Sequence, residues 1–262
     1  MDKYLNEVLE RASNDDLGIL IEIMTSKCSE LLTVSAEYKK YYPDHSKYYQ
    51  LIADEIRLFG GNTFANIARG SNGPSYYEIV CDVATKIGVD FNKKQGVMTI
   101  ERAIFDKLVT NMLNKMSEKQ KQDLLREIGV SDKSTIIGMS TMTIQTMFRA
   151  GGFASYQLML TFVNGMLKTI IGRGLPLVAN AALVRLASVV TGPIGMTLSA
   201  LWTLVDIAGP SYKITVPCVA YIGWLRYKQS LVQCSNKACE GMFESGAFKF
   251  CPQCGTKMID QE

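Results

Sequence analysis

The chain has 262 residues, of which 47% are hydrophobic and 20% charged, a composition typical of a globular protein with one or two domains and a large core. Its net charge of +3 is too small to argue for nucleic acid, and its N-terminal sequence is too polar for a signal peptide. Seven cysteines, an odd number, favour free thiols and a metal site, and therefore predict a reducing cytoplasmic compartment.

Residues 1–133 are predicted to form an N-terminal helical domain. Asn14-Asp15-Asp16 is expected to cap a helix, because apolar residues follow from Leu17 at the i, i+3, i+4 spacing of a helix. A further helix is expected from about 46 to 68. Gly60-Gly61 lies inside that range and is a point where the helix can kink.

Two short motifs predict where later helices of this domain begin. Ser75 is followed by Glu78, and Ser117 is followed by Gln120. In such a capping box the serine and the Glu or Gln side chain satisfy free backbone amides reciprocally. Gly129 is the predicted C-cap of the second of these helices.

Residues 134–230 are predicted to form a second helical domain that is rich in glycine and strongly apolar. Glycine and proline interrupt this segment at nearly regular intervals, which suggests stacked helical hairpins. The predicted helices cover 153–171, 175–190, 194–208 and 212–229.

Charge is distributed unevenly between the two predicted domains. Up to Lys133 the chain has 18 basic and 20 acidic residues, whereas from Ser134 to Ser230 it has seven basic residues and one acid, Asp206. A basic, apolar segment favours contact with an anionic membrane surface. Asp206, if buried, needs a partner such as Arg185 or Lys213.

An uncharged stretch, residues 187–205, is about as long as a bilayer span requires. Pro193 breaks or kinks a helix within it, and the residues that follow are too few to cross a membrane. Two interpretations stay open: a buried hairpin in a helical core, or a hairpin within 151–229 that inserts conditionally into the inner membrane.

The C-terminal residues 231–262 contain the strongest motif in the sequence. Cys234 and Cys239 form one close pair, and Cys251 and Cys254 form a second pair about a dozen residues later. This spacing predicts a small zinc ribbon in which four thiolates hold one structural Zn²⁺ ion and leave no open coordination position. A strand at 242–244, a turn at Ser245-Gly246 and a strand at 248–250 are expected between the pairs.

Signals for catalysis are weak. His45 is the single histidine, so any Cys–His or Ser–His nucleophile has to use it. Glu78 and Asp82 lie one helical turn apart and are the other candidate pair, although no histidine accompanies them. Tyrosines and lysines alternate around residues 38–49, where a helix surface covering an apolar seam is favoured over stacking on nucleic acid. No catalytic or cofactor-binding residue is assigned.

Several short motifs are spread over roughly residues 14–229. They are Asn14–Leu17, Tyr41–His45, Phe59–Asn66, Phe91–Lys94, Gly151–Gln157, Gly172–Leu175, Gly192–Gly195 and Asp206–Pro210. Together these motifs resemble the YaaW-like group of bacterial proteins, which is linked distantly to the ubiquinol–cytochrome c chaperone domain, a helical module that assists assembly of a membrane complex. The resemblance implies no catalytic residues, and the cysteine-rich tail departs from the family pattern as an addition.

Together these observations predict a mainly α-helical, non-enzymatic, zinc-binding cytoplasmic protein that binds a protein partner and associates with the inner membrane through residues 151–229. The alternative is a chaperone-like assembly factor for a membrane complex. An enzyme that uses His45 or the Glu78/Asp82 pair is the least favoured reading. Nucleic acid and small-molecule substrates are not favoured as partners.

Overall fold

The computed structural model of the protein describes residues 2–26, 31–61, 73–128, 130, 140–150, 152–175, 212–236, 238–239, 242–252 and 254–258. Over these residues the chain is mostly α-helical and ends in a two-stranded antiparallel sheet beside a cysteine cluster. The predicted fold class is therefore confirmed.

The described helices follow one another closely along the chain. They are α1 (Lys3–Leu9), α2 (Asn14–Thr25), α3 (Leu31–Val34), α4 (Ala36–Tyr41), a 3-10 turn (His45–Tyr48), α5 (Tyr49–Gly60), α6 (Tyr76–Lys86), α7 (Val97–Lys115), α8 (Glu118–Glu127), α9 (Thr141–Ala150), α10 (Gly152–Ile171) and α11 (Tyr212–Gln229). The strands are β1 (Leu231–Gln233) and β2 (Met242–Glu244).

Both predicted capping boxes are present. At the start of α6 the Ser75 backbone amide donates to Glu78 Oε2 at 2.7 Å, and the Ser75 hydroxyl accepts from the Glu78 amide. Ser117 and Gln120 make the same reciprocal pair at the start of α8. These motifs succeed as predictions because both partners lie within one helical turn.

Replacing Ser75 with alanine should lower the free energy of unfolding by about 0.5–2 kcal/mol, because the Glu78 amide loses its acceptor. Ser75→Thr keeps the hydroxyl and is the matched control. Urea unfolding of both variants checks the prediction, and equal losses in the two would mean that the cap does not act through this hydroxyl.

Two predicted helix boundaries need correction. The cap of α2 is Ser13 rather than Asn14-Asp15-Asp16, since the Ser13 hydroxyl accepts from the Asp16 amide at 3.2 Å. The helix expected over 46–68 instead starts as a 3-10 turn and ends at Gly60, with Gly61 in an extended conformation. The paired glycines thus end α5 instead of kinking it, because glycine loses the most conformational freedom in a helix.

Helix α11 lies at the centre of the hydrophobic core. Its residues from Ile214 to Leu225 are all buried, which is the pattern of a helix that is covered on every side. It packs against α1, α2, α5, α6, α7 and α10. Helices on both sides of the boundary placed near residue 133 therefore contribute to one core.

Two of the four helices predicted in the apolar segment are confirmed, at Gly152–Ile171 and Tyr212–Gln229. The helices expected at 175–190 and 194–208, the stretch 187–205, Asp206 and Gly129 lie outside the described residues. Within the described ranges, the structure contains no helix with the length and apolar character needed to span a membrane.

The basic segment 134–230 forms ion pairs with the more acidic residues 1–133. Four cations of the basic segment 134–230 each contact an acid of residues 1–133. The pairs are Arg149 with Asp106, Arg173 with Glu22, Arg226 with Glu101, and Lys228 with Asp16. Much of the positive charge that favours an anionic surface in the sequence is thus engaged within the fold.

The C-terminal sheet pairs differently from the prediction. Met242–Glu244 is a strand and Gly246 turns the chain at a φ of 73°, as expected. Its partner, however, is Leu231–Gln233, so the prediction of Phe248–Phe250 as the paired strand is wrong. The strand β1 follows directly after α11, and β2 packs against α10. The sheet is therefore attached to the helical core.

Candidate functional site

The four cysteines of the tail converge on one point. Their Sγ atoms all lie within 4.8 Å of one another, with Cys234 and Cys254 at 3.5 Å and Cys239 and Cys251 at 3.7 Å. These distances are far longer than the roughly 2.05 Å of a disulfide. They are close to the ~3.8 Å edge of a tetrahedron whose metal–sulfur bonds are about 2.3 Å long.

The turn around Cys251 and Cys254 has the conformation that the sequence predicts for a metal knuckle. The Gly255 amide donates to the Cys251 carbonyl at 2.8 Å, and Gly255 has a φ of 72°, which side chains rarely adopt. The Cys251 amide in turn donates to the Thr256 carbonyl at 2.7 Å. The backbone therefore turns both thiols to the same side.

The pKa values of the clustered thiols diverge. The Asn236 backbone lowers the pKa of Cys234, but desolvation and hydrogen bonds from the other three thiols outweigh it and raise that pKa to about 12. The Thr256 hydroxyl lies 3.2 Å from Cys254 Sγ, and this contact together with the Thr256 backbone lowers the pKa of Cys254 to about 6. A thiol with that pKa is a thiolate at neutral pH, which is the form that binds metals. Four cysteine donors can hold one ion in a closed shell, which is the ligand arrangement of structural rather than catalytic sites.

Cysteines outside the tail have a different character. Cys81 and Cys218 are free and buried, as expected for thiols that pack like small apolar residues. Burial raises the pKa of Cys218 to about 12, so this thiol stays protonated. Cys28 lies outside the described residues.

His45 is held in a tyrosine cluster. Its ring contacts Tyr42 and Tyr48, its Nδ1 hydrogen-bonds the Tyr48 hydroxyl, and its other edge faces Gly18. Burial lowers the pKa of His45, although Asp44 and other nearby carboxylates oppose the shift. The ring contacts that the structure describes are thus with tyrosines.

The Glu78/Asp82 pair does not form a converging site in the part of the chain that is described. Glu78 uses Oε2 to cap α6 through Ser75, while Asp82 is exposed one turn later and borders a cleft with Tyr212 and Thr215. The expectation that they form a helix surface agrees with this placement.

A buried charge network was missed by sequence reasoning. Arg226 Nε donates to Glu101 Oε2 at 2.9 Å, and the Tyr76 hydroxyl donates to Glu101 Oε1 at 2.7 Å. Burial raises the pKa of Glu101, and the bonds from Arg226 and Tyr76 oppose that shift. Nothing local in the sequence predicts this contact, because 125 residues separate the ion pair.

This network forms one wall of a cavity of about 550 Å³ between α7, α9, α10, α11 and the end of β2. Its apolar lining is Met98, Phe105, Phe148 and Met159. Gly223 of α11 opens onto it. A Cβ atom at this glycine would lie 3.5 Å from Glu101 Cβ and 3.6 Å from Phe105 Cε2, which is ordinary contact.

The glycine is therefore not required by close packing. Glycine inside a helix costs about 0.5–1 kcal/mol relative to alanine. Tyr227, one turn further along α11, also lines the cavity, and its hydroxyl is buried beside Ser155.

Comparison with known proteins gives the chain a family. Residues 44–219 match the family model described as ubiquinol-cytochrome C chaperone, and the matched range ends before the cysteine cluster. A UPF0174 protein of Helicobacter pylori strain J99 is 36% identical over 230 residues, which is 85% of this chain and 90% of the relative. UPF0174 protein YaaW of Escherichia coli K12 is 25% identical over 245 residues, covering 88% of this chain and 98% of the relative.

No solved structure matches the chain. The resemblance to the YaaW-like group and its link to the chaperone domain are thus confirmed by the family model and by the relatives. The chain belongs to the UPF0174 family, which includes YaaW, and to the wider family of the ubiquinol-cytochrome C chaperone model.

Proposed function

We propose that this protein is a non-enzymatic, chaperone-like assembly factor that binds a protein subunit of a membrane complex and carries one structural Zn²⁺ ion. The observation that carries the proposal is the match of residues 44–219 to the chaperone model. This match favours the second function predicted from the sequence, a chaperone-like assembly factor, over a protein that only binds the membrane.

The metal part of the proposal rests on the tail. Cys234, Cys239, Cys251 and Cys254 hold the zinc ion, and the closed shell of four thiolates gives it a structural role. The ribbon then presents Phe248 and Phe250, which are 47% and 59% exposed. Exposed aromatic side chains are common anchors at protein interfaces, so these two are the proposed contact with the partner.

The placement of the other candidate groups is consistent with a role outside catalysis. His45 packs among tyrosines, and Glu78 caps a helix. Neither is aimed at a second reactive group within the described ranges. A chaperone-like protein needs surfaces rather than a reactive centre.

Association with the inner membrane through residues 151–229 follows from this function as a secondary property. A protein that delivers a membrane subunit works at the bilayer surface. Because four cations of the basic segment are paired within the fold, electrostatic attraction to an anionic surface should be weak and lost at high salt.

The test uses the full tagged chain in the bacterium that encodes it. Crosslinking followed by purification in mild detergent should recover subunits of one membrane complex, and deletion of the gene should lower the assembled fraction of that complex. Phe248→Ser with Phe250→Ser should reduce the crosslink. Val34→Ser, which removes another exposed apolar side chain from the helical body, is the matched control.

Unchanged assembly of every membrane complex after deletion, together with a chain that elutes as a free monomer, would overturn the proposal. Flotation with anionic liposomes separates the membrane property from partner binding. A protein that floats but crosslinks to no subunit would be a membrane-binding protein and not an assembly factor.

A further inference from the structure

We propose that the cavity between α7, α9, α10, α11 and β2 is a binding site for an uncharged, mainly apolar small molecule. The site lies apart from the ribbon phenylalanines proposed to contact a partner, so it is a further property of the fold. Its volume of about 550 Å³ falls in the roughly 300–1,000 Å³ range of small-molecule sites.

The apolar side chains of the cavity favour a ligand that is mainly apolar. Met98, Phe105, Phe148 and Met159 supply the large apolar side chains of the wall. Methionine and phenylalanine together make a surface that adapts to the shape of an apolar guest. Met98 is 62% exposed and lies at the mouth, where a guest can enter.

The charged side chains around the cavity are paired with one another, which favours an uncharged ligand. Glu101 is already bonded by Arg226 and Tyr76, and Arg102 pairs with Glu244 across the mouth at 3.3 Å. Each cation of the lining thus has an acid beside it. A charged ligand would have to break one of these pairs, whereas a neutral ligand leaves both intact.

Gly223 explains why the space exists. The helix keeps a glycine at a position where a methyl group fits without a clash, and the missing side chain faces the cavity. A larger residue at the same position would fill the space between Glu101 and Phe105. Glycine is therefore the residue that keeps the site open.

The experiment titrates the purified, zinc-loaded full chain with decan-2-one, decanoate and decylammonium, which share one chain length, and measures heat and ligand-observed NMR. Decan-2-one should bind saturably with one molecule per chain, and at least about tenfold more tightly than either charged probe. Gly223→Ala should weaken this binding severalfold, and Gly223→Leu should abolish it.

Circular dichroism confirms folding of each variant, and if Gly223→Leu does not fold, Gly223→Ala carries the test because its methyl group fits.

Three results would overturn the proposal. They are no saturable binding of decan-2-one, preference for decanoate or decylammonium, and equal affinity of wild type and Gly223→Ala. Displacement of decan-2-one by an apolar peptide at lower concentration would assign the cavity to a protein segment instead. Because binding is measured on the isolated protein, its failure is distinct from failure of the assembly-factor proposal.

Discussion

Replacing Arg226 with methionine should lower the free energy of unfolding by about 3–5 kcal/mol, because it leaves the Glu101 carboxylate buried without its ion-pair partner. The Arg226 and Glu101 side chains are only 10% and 4% exposed. Urea denaturation followed by circular dichroism measures the loss. The pair joins α7 to α11 at the centre of the fold, so the effect should be global.

The matched control is Arg126→Met. Arg126 pairs with Asp123 at 2.7 Å on the surface of α8, where both side chains are about half exposed. An exposed pair of this kind contributes about 0–1 kcal/mol. Similar losses for Arg126→Met and Arg226→Met would contradict the argument from burial. Adding Glu101→Gln to Arg226→Met should recover part of the loss, because glutamine is neutral and still accepts from Tyr76.

The deficit of Arg226→Met should also depend on pH. Burial already raises the pKa of Glu101, and removing Arg226 raises it further because the cation opposes that shift. Between the unfolded carboxyl pKa of about 4.3 and this raised value, the folded variant holds a proton that the unfolded chain has lost. Stability of the variant relative to wild type should therefore improve as the pH falls from 7 to about 5.

Local sequence rules predicted the parts of the fold that are set within a few residues. The capping boxes at Ser75 and Ser117 and the helix over 212–229 are confirmed. Close cysteine pairs predicted the convergence of four thiols, since each pair is positioned by its own turn. In the capping boxes and within each cysteine pair, the partners are neighbours in sequence.

Contacts over long distances in sequence could not be predicted in the same way. Residue types alone do not show that Arg226 meets Glu101, or that Lys228 meets Asp16. The uneven charge of the two segments was visible, but its favoured explanation was an anionic surface rather than internal pairing. The pairing of β1 with β2 was missed because Leu231–Gln233 follows a helix without a turn signal. Cavities such as the one beside Gly223 arise from packing and have no sequence signature.

The ribbon should lose its fold when the proposed zinc ion is removed, since it has almost no hydrophobic core of its own. Its buried residues are Phe243 and three of the proposed ligands, Cys234, Cys239 and Cys251, with Met258 packed against them. Without a metal such a small unit cannot offset the entropy of its chain. Structural zinc contributes about 10–16 kcal/mol in zinc-finger peptides, which is more than this core supplies.

Cys251→Ser should reduce bound zinc from one ion per chain to almost none and make the amides of residues 231–258 exchange rapidly with deuterium. Helix α11 should stay protected, because its buried residues pack against helices of the core and not against the ribbon alone. Cys81→Ser, which changes a buried cysteine outside the cluster, should keep its zinc and its ribbon. Metal analysis and hydrogen–deuterium exchange by mass spectrometry measure both effects. Retained zinc in Cys251→Ser, or unfolding of α11 together with the ribbon, would mean that the metal is held elsewhere or that the two parts fold as one unit.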